Sequence, residues 1–188
     1  MTRALISQGP LPGSRPAARI DMSTDLAGIE LPSPVLTASG CAAAGRELDQ
    51  FLDITELGAI VTKSVAMLPR SGRPTPRMAE TPSGMLNSIG LQGPGIDRFI
   101  ETDLAWLNER GARTIVSIAG STVDEYAKLA ARLRVARGVL GIEVNISCPN
   151  VENRGQVFAC DPRAASEVVS AVRRSTPSGV PVLAKLSP

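Results

Sequence analysis

The sequence predicts an α/β fold: a (β/α)8 TIM barrel, of which this chain carries about five strands. Short apolar runs alternate with segments of helical periodicity between residues 33 and 187, a pattern typical of a parallel sheet covered by helical crossovers. Four of the five runs end in small or polar residues, namely TASG, TKS, NISC and KLSP. Such strand ends favour a barrel with one shared mouth over an open sheet with a single switch point. A complete barrel takes about 250 residues, so this chain is expected to be a truncated one.

Local sequence signals place a hairpin, five strands and four helices along the chain. A short hairpin within residues 18–34 is expected to close the bottom of the barrel. The predicted strands are residues 33–40, 58–65, 113–120, 141–147 and 180–187, and the predicted helices are residues 46–57, 96–110, 123–137 and 162–175. Thr122 and Asp161 are predicted N-caps, and Gly111 and Gly138 are predicted helix terminators.

The composition is that of a globular protein rather than of a disordered chain, with 43% hydrophobic and 20% charged residues. A net charge of +2 indicates neither a nucleic acid nor a membrane surface as partner, because binding to phosphates requires clustered lysine and arginine. The sequence has no histidine, which excludes Ser-His and Cys-His catalysis and histidine metal sites. Acid–base chemistry must therefore come from Cys, Lys, Asp, Glu or Tyr.

Residues 1–18 are predicted to be a flexible N-terminal tail, and residues 19–188 a partial barrel domain. The tail lacks the apolar segment of a signal peptide, so a cytoplasmic location is predicted, with a transit peptide as the alternative. No apolar run approaches the roughly 20 residues that span a bilayer. Cys41, Cys148 and Cys160 form no CxxC pair, which argues against a disulfide scaffold or a cysteine-bound metal.

A cysteine and two lysines stand where predicted strands end. Cys148, in the motif NISCPN, is either an inert core thiol or a base, since thiols ionise readily enough to accept a proton. Lys63 and Lys185 end the second and fifth strands among apolar residues. A lysine buried there requires an anionic partner, unless its stem carries the ammonium group to solvent. The Pro/Gly-rich segment 64–95 opens on the same side, and its length indicates a functional loop.

Asparagines and small residues occupy further positions near strand ends. Asn87, Asn145 and Asn150 offer both donors and acceptors, as a flat ring bearing amides and carbonyls requires, although asparagine is also a common turn former. The small residues at 38–40 either admit a flat ligand close to the backbone or merely turn the chain.

Three motifs carry a resemblance to a known family. RMAETPSGMLNSIGLQGPG, NISCPN and AKLSP occur in this order after the second, fourth and fifth predicted strands. From about Ile20 to Pro188 the chain thereby resembles the class 1 dihydroorotate dehydrogenases, flavin enzymes of pyrimidine synthesis. The cysteine in NISCPN, where serine is the alternative, makes the chain similar to class 1. NSIGLQ together with PNVENRGQVFACDP makes it similar to the 1B branch of that class. The resemblance implies FMN as cofactor, dihydroorotate and orotate as ligands, a homodimer, and an electron-transfer subunit that carries FAD and an iron-sulfur cluster and reduces NAD.

The resemblance also implies roles for individual residues. Oxidation of dihydroorotate removes a proton from C5 and a hydride from C6, so Cys148 is implied to be the base on the face opposite flavin N5. Lys185 is implied at the flavin N1/O2 edge, and Lys63 between flavin and the orotate carboxylate. The implied substrate-binding residues are Lys63, Asn87, Ile89, Gly90, Leu91, Asn145 and Asn150; the implied cofactor-binding residues are Ala38, Ser39, Gly40, Lys63, Ser64, Asn145 and Lys185; no metal site is implied. The chain departs from the family pattern at Gly93, where asparagine is usual, and at Ala159, where glycine is common.

Two alternatives stay open at this point. A dihydropyrimidine dehydrogenase or another FMN-dependent barrel would share the cysteine and the strand-end lysines. The other alternative is a truncated or split chain that only interacts or is inactive, and the 188-residue chain is expected to be inactive by itself. Cys41 and Cys160 have no comparable motif and are predicted to be structural.

Overall fold

The computed structural model describes residues 20–147 and 158–186. Its strands are β1 (Thr24–Leu26), β2 (Ile29–Leu31), β3 (Ile60–Val61), β4 (Met78–Thr81), β5 (Gly84–Asn87), β6 (Thr114–Ile118), β7 (Val139–Asn145) and β8 (Val182–Lys185). Its α-helices are α1 (Ile96–Phe99), α2 (Ala105–Arg110), α3 (Val123–Arg134) and α4 (Pro162–Ser175), and a π-helical turn, Ile100–Leu104, joins α1 to α2. The predicted tail, the proposed base Cys148 and Asn150 lie outside the described residues.

A four-stranded parallel sheet in the order β3-β6-β7-β8 forms the centre of the fold. Val61 pairs with Ile115, and Asn145 at the end of β7 pairs with Lys185 at the end of β8. Every residue of β6 is buried, which explains why this strand is almost continuously apolar in sequence. The sheet and its helical connections confirm the predicted parallel α/β architecture.

Successive residues of β6 and β7 face opposite sides of the sheet. On one side, residues of both strands share a core with α3 and α4: Val116, Ile118, Ile142, Val144, Tyr126, Leu129, Val168 and Val172. Burial of each large side chain in this core stabilises the fold by about 1.5–3 kcal/mol. The alternation turns Ser117, Glu143 and Asn145 toward the other side, which is the interior of the barrel.

The predicted hairpin near the N-terminus is confirmed. β1 and β2 pair antiparallel across a turn in which Ala27 and Gly28 have positive φ angles of 53° and 86°, the geometry of a two-residue hairpin turn. Leu26 packs against the apolar cluster formed by Ala59, Val61 and Ile115, toward the amino ends of the parallel strands. The hairpin therefore covers the bottom of the barrel interior, as the sequence predicts.

The three longer predicted helices are present, and their caps explain where they begin and end. The side chains of Thr122 and Asp161 accept hydrogen bonds from the first turns of α3 and α4, and Gly111 ends α2 in the left-handed conformation. The prediction that Gly138 ends the preceding helix is wrong: α3 ends at Arg134, and Gly138, with a φ of 78°, turns the chain into β7. No helix in the described part of the chain is long and apolar enough to cross a membrane.

Residues 33–57 differ from the prediction. The first predicted strand is reduced to one parallel bridge between Leu36 and Ala59. The predicted helix at 46–57 is replaced by two 3-10 turns, Leu48–Gln50 and Ile54–Glu56. The side chain of Asp53 accepts a hydrogen bond from the backbone of Thr55 and so starts a new turn in place of a continuous helix.

The long segment after β3 contains a hairpin that the sequence analysis missed. β4 and β5 pair antiparallel from Met78↔Asn87 to Thr81↔Gly84, and every residue of both strands is exposed. At the base of this hairpin, Arg70 and Gly93 form an antiparallel bridge. The predicted functional loop is therefore an ordered hairpin that rises above the end of β3.

Candidate functional site

A cavity of about 880 Å³ lies at the carboxyl end of β3, beneath the β4–β5 hairpin. We call it the site cavity. Seven residues predicted from the sequence line it: Ser39, Gly40, Lys63, Asn87, Ile89, Gly90 and Leu91. The other lining residues are Cys41, Arg73, Met78, Met85 and Ser88. The volume lies within the range of about 300–1,000 Å³ that small-molecule sites occupy.

Lys63 gives the site cavity a positive charge. Its backbone N–H donates to the carbonyl of Ala43 at 2.9 Å, which places its half-buried side chain at the end of β3. Arg73 also lines the cavity, whereas no lining residue is acidic. An anionic ligand would therefore be favoured here, since a carboxylate forms its strongest hydrogen bonds with lysine and arginine.

The chain backbone comes close to the site cavity at Gly90 and Leu91, which have φ angles of 76° and 52°. A Cβ on Gly90 would lie 2.9 Å from the backbone nitrogen of Arg73, so only glycine fits this approach. The left-handed conformation of Leu91 costs about 1–2 kcal/mol. Strain of this kind persists where the surrounding structure enforces it, and it is concentrated at functional sites.

A partly buried hydrogen-bond network joins β3, β6 and β7 near their carboxyl ends. The side-chain amide of Asn145 donates to the hydroxyl of Ser64 at 2.9 Å, and Ser64 and Ser117 share a hydrogen bond of 2.9 Å between their hydroxyls. The hydroxyl of Tyr126 donates to the backbone carbonyl of Asn145 at 2.6 Å, and Ser147 donates to its side-chain oxygen at 3.4 Å. The network holds the Asn145 amide in one orientation at the mouth of the barrel.

The remaining strand-end residue, Lys185, pairs level with Asn145 on the neighbouring strand. It is half-buried, and neither it nor Lys63 belongs to any of the ion pairs found between described residues. The fold thus brings Lys63, Ser64, Asn145 and Lys185 to one edge of the sheet. Ala38 does not line the site cavity; it is exposed, and its carbonyl accepts from the backbone of Cys41.

Some residues of the site were not predicted from the sequence. Ser117 is a polar residue inside the apolar run TIVSIAG, and that interruption is the signal that would have identified it. Cys41 and Cys160 are exposed, so the prediction that they are structural is wrong, and Cys41 lines the site cavity. Arg73 carries no sequence signal, because only the hairpin fold brings it into the same cavity as Lys63.

In the described ranges, no group of three or more His, Cys, Asp or Glu side chains could hold a metal ion.

Comparison with known proteins agrees with this architecture. A family model described as dihydroorotate dehydrogenase matches residues 21–188. The chain is 50% identical over 171 residues to the catalytic subunit of dihydroorotate dehydrogenase B (NAD(+)) from Geotalea daltonii, covering 91% of this chain and 55% of that protein. For the subunits of the same name from Geotalea uraniireducens and Geobacillus kaustophilus, the identity is 51% and 47%, over 89% of this chain and 54% and 53% of theirs.

A solved structure shows the same fold. The structure of DHODH in complex with ferulenol from Eimeria tenella superimposes with a TM-score of 0.64 at 19% identity, over 82% of this chain and 44% of that one. Together with the curated relatives, it shows that the parallel sheet described above corresponds to part of a TIM barrel. The chain spans about half the length of the curated relatives that it matches.

Proposed function

This chain belongs to the dihydroorotate dehydrogenase family, and we propose that it is the part of a class 1B-like enzyme that binds FMN and oxidises dihydroorotate to orotate in pyrimidine biosynthesis. One observation carries the proposal: the site cavity gathers seven of the predicted ligand-binding residues, with Lys63 among them, from separate stretches of the chain. Because the chain spans about half of its relatives, the activity is proposed for the full-length protein.

The strand-end residues suit the ring of FMN. Asn145, held by Ser64 and Tyr126, presents an amide to the polar edge of a flat ring, and Lys185 on the next strand supplies a positive charge. Ser39 and Gly40 present little side-chain bulk at the wall of the site cavity, which permits close approach of a ring. FMN, when bound, accepts the hydride that leaves C6 of dihydroorotate.

Lys63 and Arg73 are proposed to select a substrate that carries a carboxylate. Both line the site cavity, where no acidic residue opposes them. The backbone at Gly90 and Leu91, together with the amide of Asn87, provides donors and acceptors for the pyrimidine ring. Dihydrouracil lacks the carboxylate and would leave the lysine without a partner, so the cavity favours dihydroorotate over the substrate of a dihydropyrimidine dehydrogenase.

Cys148 is proposed as the general base that takes the proton from C5. It lies outside the described residues, directly after Ser147, and so follows the strand that carries Asn145. Asn150, also outside the described residues, is proposed as a further substrate ligand. In this scheme the C5–H bond breaks with its electron pair left on carbon, the proton moves to the thiolate, and the C6 hydride leaves as the C5–C6 double bond forms.

The electron acceptor is proposed to be a separate subunit that carries FAD and an iron-sulfur cluster. The relatives are named as catalytic subunits of an NAD(+) enzyme, which supports a second subunit that passes the electrons to NAD. We also propose that the full-length protein is cytoplasmic and that it forms a homodimer. The full-length protein purified without its partner is therefore expected to reduce artificial acceptors but not NAD.

Replacement of Cys148 tests the proposed chemistry. In the full-length protein loaded with FMN, Cys148→Ala should slow reduction of the flavin by dihydroorotate by roughly 100-fold or more while the flavin stays bound, because the base is lost and the ring contacts are not. Cys148→Ser should keep a residual rate that rises toward higher pH, since a hydroxyl ionises less readily than a thiol. Cys160→Ala, at an exposed thiol outside the site cavity, is the matched control. Stopped-flow reduction of the alanine variant at the wild-type rate would contradict the assignment.

A further inference from the structure

Glu143 is a buried acid in the middle of β7 that the proposed reaction does not use. Only 8% of its surface is exposed, and its Oε1 atom is buried without a hydrogen-bond partner among the described residues. A carboxylate removed from water in this way is strongly unfavourable unless a cation or a donor compensates it. The strand therefore buries a carboxylate that requires a compensating cation or donor, and no described residue donates a hydrogen bond to its Oε1 atom.

The strand register shows which way this carboxylate faces. Its neighbours Ile142 and Val144 pack into the core with the helices, so the side chain of Glu143 lies on the interior side of the sheet. Toward the bottom of the barrel that side is closed by the apolar cluster to which Ile115 and Leu183 belong. Ser117 lies level with Glu143 on the other neighbouring strand, and its hydroxyl is hydrogen-bonded to Ser64. Among the described residues of the four parallel strands, the one cation, Lys185, stands at a strand end.

Lys185 is the cation on the neighbouring strand in that direction. Glu143 pairs level with Leu183 on β8, and Lys185 follows two residues later on the same side. Lys63 is farther away, since β6 lies between β3 and β7. Lys63 itself lines the site cavity.

We propose that Glu143 is the counter-ion of Lys185, a positioning residue that holds the lysine ammonium at the mouth of the barrel. Neither residue takes part in the four ion pairs between described residues. The pair is therefore not closed in this structure, and a change in the side-chain rotamer of Lys185 is required to bring its ammonium group to the carboxylate. The attraction between the two charges would offset the cost of removing both of them from water. Where the inference concerns FMN, it rests on the function proposed above: the carboxylate keeps Lys185 directed at the flavin ring.

A double-mutant cycle in the full-length protein without flavin tests the pair. Lys185→Met should lower the thermal unfolding midpoint, because it leaves a buried carboxylate uncompensated. Adding Glu143→Gln should restore the midpoint, since the amide carries no charge. The exposed pair of Lys128 and Asp124 is the matched control, and the analogous replacements there, Lys128→Met and Asp124→Asn, should show only the weak coupling of a solvent-exposed ion pair. Additive effects at Glu143 and Lys185 would overturn the proposal.

FMN binding provides a second test of the coupling between Glu143 and Lys185. Glu143→Gln should weaken FMN binding roughly 5- to 30-fold, and the same replacement should have no effect on binding in the Lys185→Met background. Glu167→Gln, an equivalent change at an exposed position of α4, should leave binding unchanged. An undiminished effect of Glu143→Gln in the Lys185→Met background would contradict the coupling. If the wild-type protein bound no FMN, the proposed function would fail, while the unfolding cycle would still decide on the ion pair.

Discussion

Single residues at the mouth of the barrel are held by contacts from several strands. Asn145 is the clearest case, because its side-chain amide donates to Ser64, at the end of β3, while its backbone carbonyl accepts from Tyr126 on α3. An asparagine that is fixed at both ends presents its amide to a ligand without a further loss of side-chain entropy on binding. In the function proposed above, the rigidity of Asn145 would contribute to ligand recognition together with the hydrogen-bonding groups of its amide.

Removal of the Tyr126 hydroxyl should measure this restraint. In Tyr126→Phe the ring can keep its edge-to-face contact with Phe158, at a centroid distance of 5.8 Å, while the 2.6 Å hydrogen bond to Asn145 is lost. The free energy of unfolding should fall by about 1 kcal/mol, the net contribution of one intramolecular hydrogen bond. Urea unfolding of the full-length protein measures the change. A midpoint equal to that of the wild type would show that the hydrogen bond contributes nothing.

The two strand-end lysines should have different roles. Lys63→Ala should raise the KM for dihydroorotate and slow flavin reduction, with the flavin retained, because the lost charge faces the site cavity. Lys185→Ala should weaken flavin retention or lower the reduction potential, because it removes the charge that stabilises the reduced ring. Flavin absorbance after gel filtration and stopped-flow reduction separate the two effects. Equal and mild effects from both variants would contradict these assignments.

At the scale of elements, the connection between α3 and β7 depends on a glycine. Gly138 has a φ of 78°, and a Cβ at this position would collide with the side-chain oxygen of Asn108. The amide of Asn108 in turn donates to the carbonyl of Arg137 at 3.0 Å. The contact ties the end of α2 to the start of β7, and only a residue without a side chain permits it.

Gly138→Ala should therefore destabilise the protein for two separable reasons. In the wild-type background the cost should be about 2 kcal/mol, from backbone strain together with displacement of Asn108. In an Asn108→Ala background the collision is absent, so the same replacement should cost only the strain of about 1 kcal/mol. Chemical denaturation of the four proteins of the cycle gives both numbers. An equal cost in the two backgrounds would mean that the collision is relieved without penalty.

At the scale of the whole molecule, the sheet is open at β8. Within the described residues β7 is the only strand that pairs with β8, and such an edge presents unpaired backbone groups to solvent. Leu186, just after the strand, is 59% exposed. In the full-length protein, further barrel strands are expected to cover this edge and, by the family resemblance, to supply the loops that bind the flavin phosphate.

The polypeptide of residues 1–188 produced by itself should accordingly be colourless and prone to self-association. Ring contacts from Asn145 and Lys185 alone must offset the entropy of binding without a phosphate anchor, and the open edge favours pairing between copies. Flavin absorbance and light scattering of the purified polypeptide, compared with the full-length protein, measure both properties. A monodisperse preparation with stoichiometric FMN would contradict the prediction.

Local signals were enough to predict much of the fold and part of the site. The caps Thr122 and Asp161 begin their helices as predicted, because capping depends on contacts within one turn. The polar ends of apolar strands indicated Lys63, Asn145 and Lys185, because parallel strands bring their carboxyl ends to a common edge. The helix predicted at 46–57 failed, because apolar spacing does not reveal that Asp53 caps a new turn.

By itself, the sequence determined the parallel α/β architecture, the N-terminal hairpin, four of the five predicted strands, three of the four predicted helices, and the strand ends at which the candidate ligand-binding groups stand. Tertiary structure alone decided which of these groups meet: it placed Arg73 and Lys63 in the wall of one cavity, joined Ser64 to Ser117, and buried Glu143 on the strand that pairs with the strand of Lys185. The physical reason is the range of the interactions. Periodicity and capping act over a few neighbouring residues, whereas these pairings depend on strand register and on a hairpin that folds back over the sheet.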